Sequence, residues 1–193
     1  MNRNQLCVLL LSFNITVFSQ VNLPQVNAER IRITKNGMLV LGSWGAANLI
    51  VGAIGLSSST GQAKYFHQMN FIWGSVNLAI AGSSLLAMKK RRTDISLSQS
   101  LKSQSAIEKT FLINGGLDLV YLTAGFYCME KCKNQVNPDK YKGYGKSLFV
   151  QGGSLLLFDV IMYITNLNHG KQLYKVLDKV QFSGYSVGLV WKL

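Results

Sequence analysis

The sequence predicts an all-α membrane protein: an antiparallel four-helix transmembrane bundle followed by a short C-terminal helix and an extended tail. Three observations carry that prediction. Four apolar stretches each approach or exceed the roughly 20 residues that a helix needs to cross a bilayer. Each stretch bears a narrow face of small and polar residues at alternating steps of three and four, as a membrane helix does where it packs on protein while its other faces meet lipid. Lys and Arg gather between the stretches, and charged residues make up only 15% of the chain, against roughly 25% in soluble domains.

Taken in order, residues 1–19 read as a signal peptide. Arg3 supplies the n-region, Leu6 to Phe18 form a 13-residue apolar run, and a cut is expected before Gln20. Residues 20–37 are polar, with Pro24 and the basic residues Arg30, Arg32 and Lys35, and are expected to form an extracytoplasmic loop or short interfacial helix. The transmembrane domain is expected over residues 38–166. Span one, about 38–56, carries the stripe Leu41, Gly45, Asn48, Gly52, Gly55. A Ser/Gly turn then makes span two its antiparallel neighbour. Span two, about 65–88, contains no charge, and its stripe is His67, Asn70, Gly74, Asn77, Ala81, Ser84. The run Lys89 to Arg92 stops it. The Ser/Gln-rich segment Thr93 to Ser105 reads as a mobile loop.

Span three, about 106–127, carries Asn114, Asp118, Tyr121 and Gly125 on one face. A loop with Pro138 and five lysines leads to span four, about 147–166, whose stripe is Gly152, Leu156, Asp159, Tyr163, Asn166. The polar tail covers residues 167–193. Leu173, Leu177 and Val180 fit a short amphipathic helix, and the alternation from Tyr185 to Leu193 fits an extended strand with no obvious partner.

The helices also resemble one another. Trp44-Gly45-x-x-Asn48-Leu49 in span one recurs as Trp73-Gly74-x-x-Asn77-Leu78 in span two, and Asn114-Gly115-x-x-Asp118-Leu119 in span three keeps its Gly, its polar residue and its Leu. Shared packing needs would produce such a pattern without duplication.

Several short motifs mark a wider likeness: Gly42-Ser43-Trp44 with Asn48, Tyr65 to Asn70 with Asn77, Asn114 to Asp118, and Gly143-Tyr144-Gly145-x-Ser147 with Gln151-Gly152-Gly153 and Phe158-Asp159. On these the chain resembles a family of small four-span bacterial membrane proteins known only as a domain of unknown function, over roughly residues 29–166. The resemblance implies a multi-pass protein of the bacterial inner membrane and brings no activity with it.

The chemistry therefore rests on the polar residues inside the spans. Asn48, Asn77, Asp118 and Asp159 each fall near the middle of a span and are expected to form one buried layer. A carboxylate at that depth costs about 2.5 kcal/mol or more, and no Lys or Arg lies at mid-span to pair with one. At least one carboxyl is therefore expected to be neutral, with the pair sharing a proton. His67, Asn70 and Gln151 toward one membrane face, and Asn114 and Tyr163 toward the other, would extend the layer into a polar track. Two functions compete. In the first, the layer is hydrogen-bonded glue in an accessory or scaffold bundle, worth about 0.6 kcal/mol per bond. In the second, Asp118 and Asp159 pass protons or cations.

No catalytic motif, metal-ligand set or cofactor signature appears, so neither an enzyme nor a bound cofactor is expected. The formal charge of +12 sits in loops flanking apolar segments, where it meets anionic lipid head groups rather than nucleic acid. The expected partner is the lipid bilayer, with another membrane protein or a second copy of the chain as protein partners. Orientation is contested. The signal peptide puts Gln20 and the tail outside the cytoplasm, whereas the distribution of Lys and Arg favours the inverse. The expectation follows the export signal, which leaves Cys128 and Cys132, spaced poorly for a disulfide, in the reducing cytoplasm.

Overall fold

The computed structural model describes residues 22–177, 180–183 and 186–189, with side chains placed up to residue 175. The expected signal peptide lies outside the described residues. Four long helices form the fold: α1 (Leu23–Ser58), α2 (Gly61–Met88), α3 (Leu97–Lys131) and α4 (Pro138–Leu177), with a 3₁₀ turn, Cys132–Asn134, before α4. All four are long and apolar enough to cross a membrane. Their burial is inverted relative to a water-soluble bundle. Ile54 and Leu112 point outward at 63% and 58% exposure, whereas Asn77, Gln104 and Gln151 are at most 2% exposed. Apolar outside and polar inside is the arrangement that lipid as solvent selects.

Close approach of backbones decides which helices pair. α1 packs along α2, and α3 along α4, as antiparallel hairpins. In the first hairpin the sequence repeat acts as a reciprocal seam. A Cβ on Gly45 would lie 2.9 Å from Leu78 N and 3.0 Å from Gly74 O, and one on Gly74 would lie 2.5 Å from Leu49 N and 2.7 Å from Gly45 O. The two Trp-Gly-x-x-Asn-Leu copies are thus the two halves of one crossing. The third copy behaves differently. Gly115 has only Leu156 within 4 Å, at 3.8 Å, and the α3–α4 seam runs instead through Gly125, Gly145 and Gly152.

The hairpins join through α2 and α4, with lighter contacts from α1 to α4 and α3. At the end that carries the two hairpin turns, Gly143 admits the Gln62 carbonyl and Phe66 N so closely that a Cβ would lie 2.5 and 2.9 Å from them. Asn137 Nδ2 donates to Tyr65 OH at 3.1 Å across the same junction. The turn between α1 and α2 is tight because Gly61 adopts φ +53°, a region open to glycine at no steric cost.

Three expectations for the ends of the bundle are corrected. Residues 23–37 are neither a loop nor a separate interfacial helix: they are the first turns of α1, started by Asn22 Oδ1 accepting from Gln25 N at 3.2 Å, with Pro24 in the first turn. The Ser/Gln-rich segment is mostly helix. Ser96 and Gln99 make a reciprocal capping box at 3.3 and 3.2 Å, which starts α3 nine residues earlier than expected. The short C-terminal helix is the uninterrupted end of α4, and Val180 belongs instead to a strand, Val180–Ser183, paired antiparallel with Ser186–Leu189. The extended tail therefore has a partner, Val180–Ser183, which begins at the last residue of the expected helix.

Candidate functional site

The buried polar residues form three groups. Nearest the hairpin turns, one amide ties three helices together. Gln151 Nε2 on α4 donates to Asn48 Oδ1 of α1 at 2.6 Å and to Asn70 Oδ1 of α2 at 3.1 Å. Its Oε1 accepts from Trp44 Nε1 at 3.0 Å. Ser147 Oγ donates to the same Asn70 oxygen at 2.6 Å, and Asn48 Nδ2 donates to Trp44 O at 2.8 Å. Gln151 and Ser147 are fully buried. An amide offers two donors and an acceptor oxygen, and here both polar atoms of Gln151 are used.

The second group lies deeper along the helices, on the other side of that knot. Asp118 of α3 and Asp159 of α4 lie side by side and buried, with Asn114 beside Asp159. With Asn77 of α2 they line a cavity of about 380 Å³. The cavity exists because α2 and α3, adjacent in sequence, hardly meet. The cavity extends toward Ser84 and Arg91 at the end of α2. Two atoms here have no partner: Asn77 Nδ2 and Asp118 Oδ2.

The third group draws mostly on segments expected to be loop and tail. Past the end of α2, the extended ends of α1, α3 and α4 form a three-helix cap. Asn27 Nδ2 donates to Ser100 Oγ at 3.0 Å and to Thr93 O at 2.9 Å, and Arg30 donates to Ser100 O at 3.0 Å. Gln104 Nε2 donates to Asn166 O at 2.7 Å, and His169 Nε2 donates to Val26 O at 3.0 Å. Tyr174 OH donates to Glu108 at 2.9 Å. Burial holds the Arg30 guanidinium below its ordinary pKa, with Arg91 adding to the effect. Burial likewise keeps His169 below the usual histidine range, and burial followed by the Glu108 hydrogen bond pushes the Tyr174 phenol up to about 12.

The four residues expected in one layer are therefore divided. Asn77, Asp118 and Asp159 share the cavity, and Asn114 joins them, whereas Asn48 belongs to the knot with Asn70 and Gln151. The remaining track residues serve packing. His67 fills the space over Gly55, with its Nδ1 unpartnered, and Tyr163 packs beside the apolar core of Met162, Phe111 and their neighbours. Missed by the sequence reading were Trp44 and Ser147 in the knot and nearly the whole cap. The Ser96-x-x-Gln99 capping box was the signal that would have revealed the cap. Among the described residues Cys128 and Cys132 are free thiols, and no cluster of three or more His, Cys, Asp or Glu side chains could hold a metal.

Four lipid-compatible helices with an inward polar core define a multi-pass helical membrane protein. The chain belongs to a family of unknown function, DUF6992, whose model matches residues 40–160. No curated protein and no solved structure matches it. The matched region contains the knot and the acid pair, and it leaves out the first turns of α1 and the end of α4 that build the cap.

Proposed function

We propose that the chain is a non-enzymatic accessory bundle of the bacterial inner membrane, a scaffold that receives a lipid or the span of another membrane protein. The observation that carries this reading is the Gln151 knot. It joins α1, α2 and α4 through the Gln151 amide, both of whose polar atoms are bonded to side chains of α1 and α2. Such a cluster fixes helix register, and it contains no ionisable side chain to relay a proton. In this reading the signal peptide exports the N-terminus, and the three-helix cap stands outside the cytoplasm. Alkaline phosphatase fused after Leu193 is then active, and a cytoplasmic reporter at the same point is not.

A second reading, a proton- or cation-conducting bundle, has one observation in its favour: Asp118 and Asp159 are neighbours that line one cavity. Arg91 on the same cavity, with Arg30 near it, repels cations. Liposomes with an internal pH dye separate the two readings. The scaffold predicts the leak rate of empty vesicles; flux abolished by Asp118→Asn or Asp159→Asn would establish conduction instead.

A further inference from the structure

The end of the α2–α3 cavity nearest the cap carries positive charge that no acid offsets. Arg91 lines this end, is exposed, and makes no salt bridge among the described residues. Arg30 is 2% exposed, donates to the Ser100 carbonyl at 3.0 Å, and has no carboxylate partner among them either. One buried face of α1 brings the two arginines to the same level. Asn27 on that face donates to Thr93 O at 2.9 Å, Thr34 shares the cavity with Arg91, and Arg30 lies between Asn27 and Thr34. A buried guanidinium without a counter-ion is costly, and a second cation beside it adds to the cost. An anion at this point relieves both. Arg91 can bond to it directly, whereas Arg30, whose Nε is enclosed, acts through its field.

The surroundings narrow the anion to a lipid. Lys89, Lys90, Arg91 and Arg92 follow Met88, the last residue of α2, which is head-group depth for a helix that crosses the bilayer. Away from them the cavity is walled by apolar side chains: Met38 and Leu41 of α1, Val76 and Ile80 of α2, Ile107 and Phe111 of α3. Asn77 Nδ2 and Asp118 Oδ2, farther along, are withdrawn from its surface. The lining runs along α3 from Ile107 to Tyr121, about 20 Å, more than the roughly 15 Å of hydrocarbon in one leaflet. The volume of about 380 Å³ falls in the range of ligand sites, about 300–1,000 Å³. Because α2 and α3 hardly meet, a chain can enter sideways from the bilayer. A soluble anion gains nothing from such walls, and a zwitterionic head group brings an ammonium to the same arginines. Basic pockets between transmembrane helices take anionic head groups, and an anionic phospholipid suits both ends of this one.

We propose that the α2–α3 cleft binds an anionic phospholipid, its phosphate against the Arg91 guanidinium and one acyl chain along the apolar walls. The proposal rests on reading the chain as a lipid-receiving bundle and names the lipid.

The test uses the full chain in phosphatidylcholine nanodiscs. Phosphatidylglycerol and phosphatidylcholine bearing the same dibrominated acyl chain, which quenches tryptophan on contact, are compared at equal mole fraction. The anionic lipid is expected to quench at about tenfold lower mole fraction, the factor given by one charge-assisted hydrogen bond. Trp73→Phe removes this component, because Trp73 lines the cleft whereas Trp44 faces a different groove. Arg91→Gln brings the ratio close to one. Lys90→Gln removes the same charge from a residue that does not line the cavity, and it keeps most of the preference. Both side chains are exposed, so both variants are expected to fold. Equal quenching by the two lipids in the parent overturns the proposal. So does a preference that survives Arg91→Gln, or one that falls as far with Lys90→Gln, the signature of diffuse attraction to the basic run. Proton flux in liposomes would overturn the scaffold reading while leaving the lipid ratio untouched, so the two failures are distinguishable.

Discussion

The knot at Gln151 and the cleft at Asp159 lie about two helical turns apart on α4, yet they treat polar groups in opposite ways. In the knot, α2 and α4 approach closely enough for amides and a hydroxyl to reach one another, and the donors and acceptors of Gln151 are consumed. In the cleft, α2 and α3 stay apart, and a donor and an acceptor remain unmatched. Both regions draw on the same residue types. The distance between backbones separates them, and glycine sets that distance: Gly143 lets α2 and α4 meet, whereas Gly115 and Gly116 on α3 have almost nothing against them. A closed polar cluster fixes register and stabilises; an open one invites a ligand or water.

The comparison breaks most visibly at the seam. Gly74→Leu puts a side chain where a Cβ alone would be 2.5 Å from the Leu49 nitrogen. Overpacking against backbone costs about 3 kcal/mol, and the variant is expected to lose its monodisperse peak in size-exclusion chromatography. Gly82→Leu, with nothing within 4 Å of a Cβ, is expected to run as the parent.

Next in size is the contrast between the two polar regions. Gln151→Leu strands the Trp44 Nε1 donor and the Asn48 oxygen, while Asn70 Oδ1 keeps only the Ser147 hydroxyl, a loss of about 2 kcal/mol. Asp118→Asn keeps the shape of a group already short of a partner, and its effect is expected to stay below about 1 kcal/mol. Thermal unfolding in detergent, followed by circular dichroism, compares them directly. Equal losses would show that the cleft is as tightly built as the knot.

A smaller effect tests whether the cap is a folded extension. Ser96→Ala removes one half of the capping box that starts α3 and is expected to cost about 1 kcal/mol. Faster amide exchange over residues 97–104, with the knot helices unchanged, is the measurement that checks it.

The smallest effect is a pH response in the same cap. His169 faces the charges of Glu29, Arg30 and Glu108, and burial lowers its pKa in the folded state. The unfolded chain then takes up the proton first as pH falls through the ordinary histidine value of about 6.5, so stability declines with acidification and is complete above that value. A fall in Tm of about 2–4 °C between pH 7.5 and 5 is expected, and His169→Gln, which keeps a donor for Val26 O, is expected to remove most of it.

How much of this was legible differs by level. The spans were visible in apolar length, and the packing faces in their small and polar stripes, because lipid demands both. The Gly45 and Gly74 copies of one hexapeptide marked the α1–α2 crossing that the structure contains. The cap was not visible, because Asn27, Ser100 and Gln104 lie in stretches with the composition of a loop, and only three helices ending together bury them. The C-terminal strand pairing escaped for a related reason: Val180 continues the helical spacing of Leu173 and Leu177 as well as it begins a strand.

The sequence by itself determined that four helices cross a membrane, which face of each turns inward, and that Asn48, Asn77, Asp118 and Asp159 would be buried; these depend on local period and on the solvent. Only the tertiary structure decided which of the four share a site. That choice depends on the gap between helices, set by where glycines on one helix meet backbone on another. Asn48 thus bonds to Gln151 while Asn77, its counterpart across the Gly45–Gly74 crossing, lines the cleft beside Asp118 and Asp159.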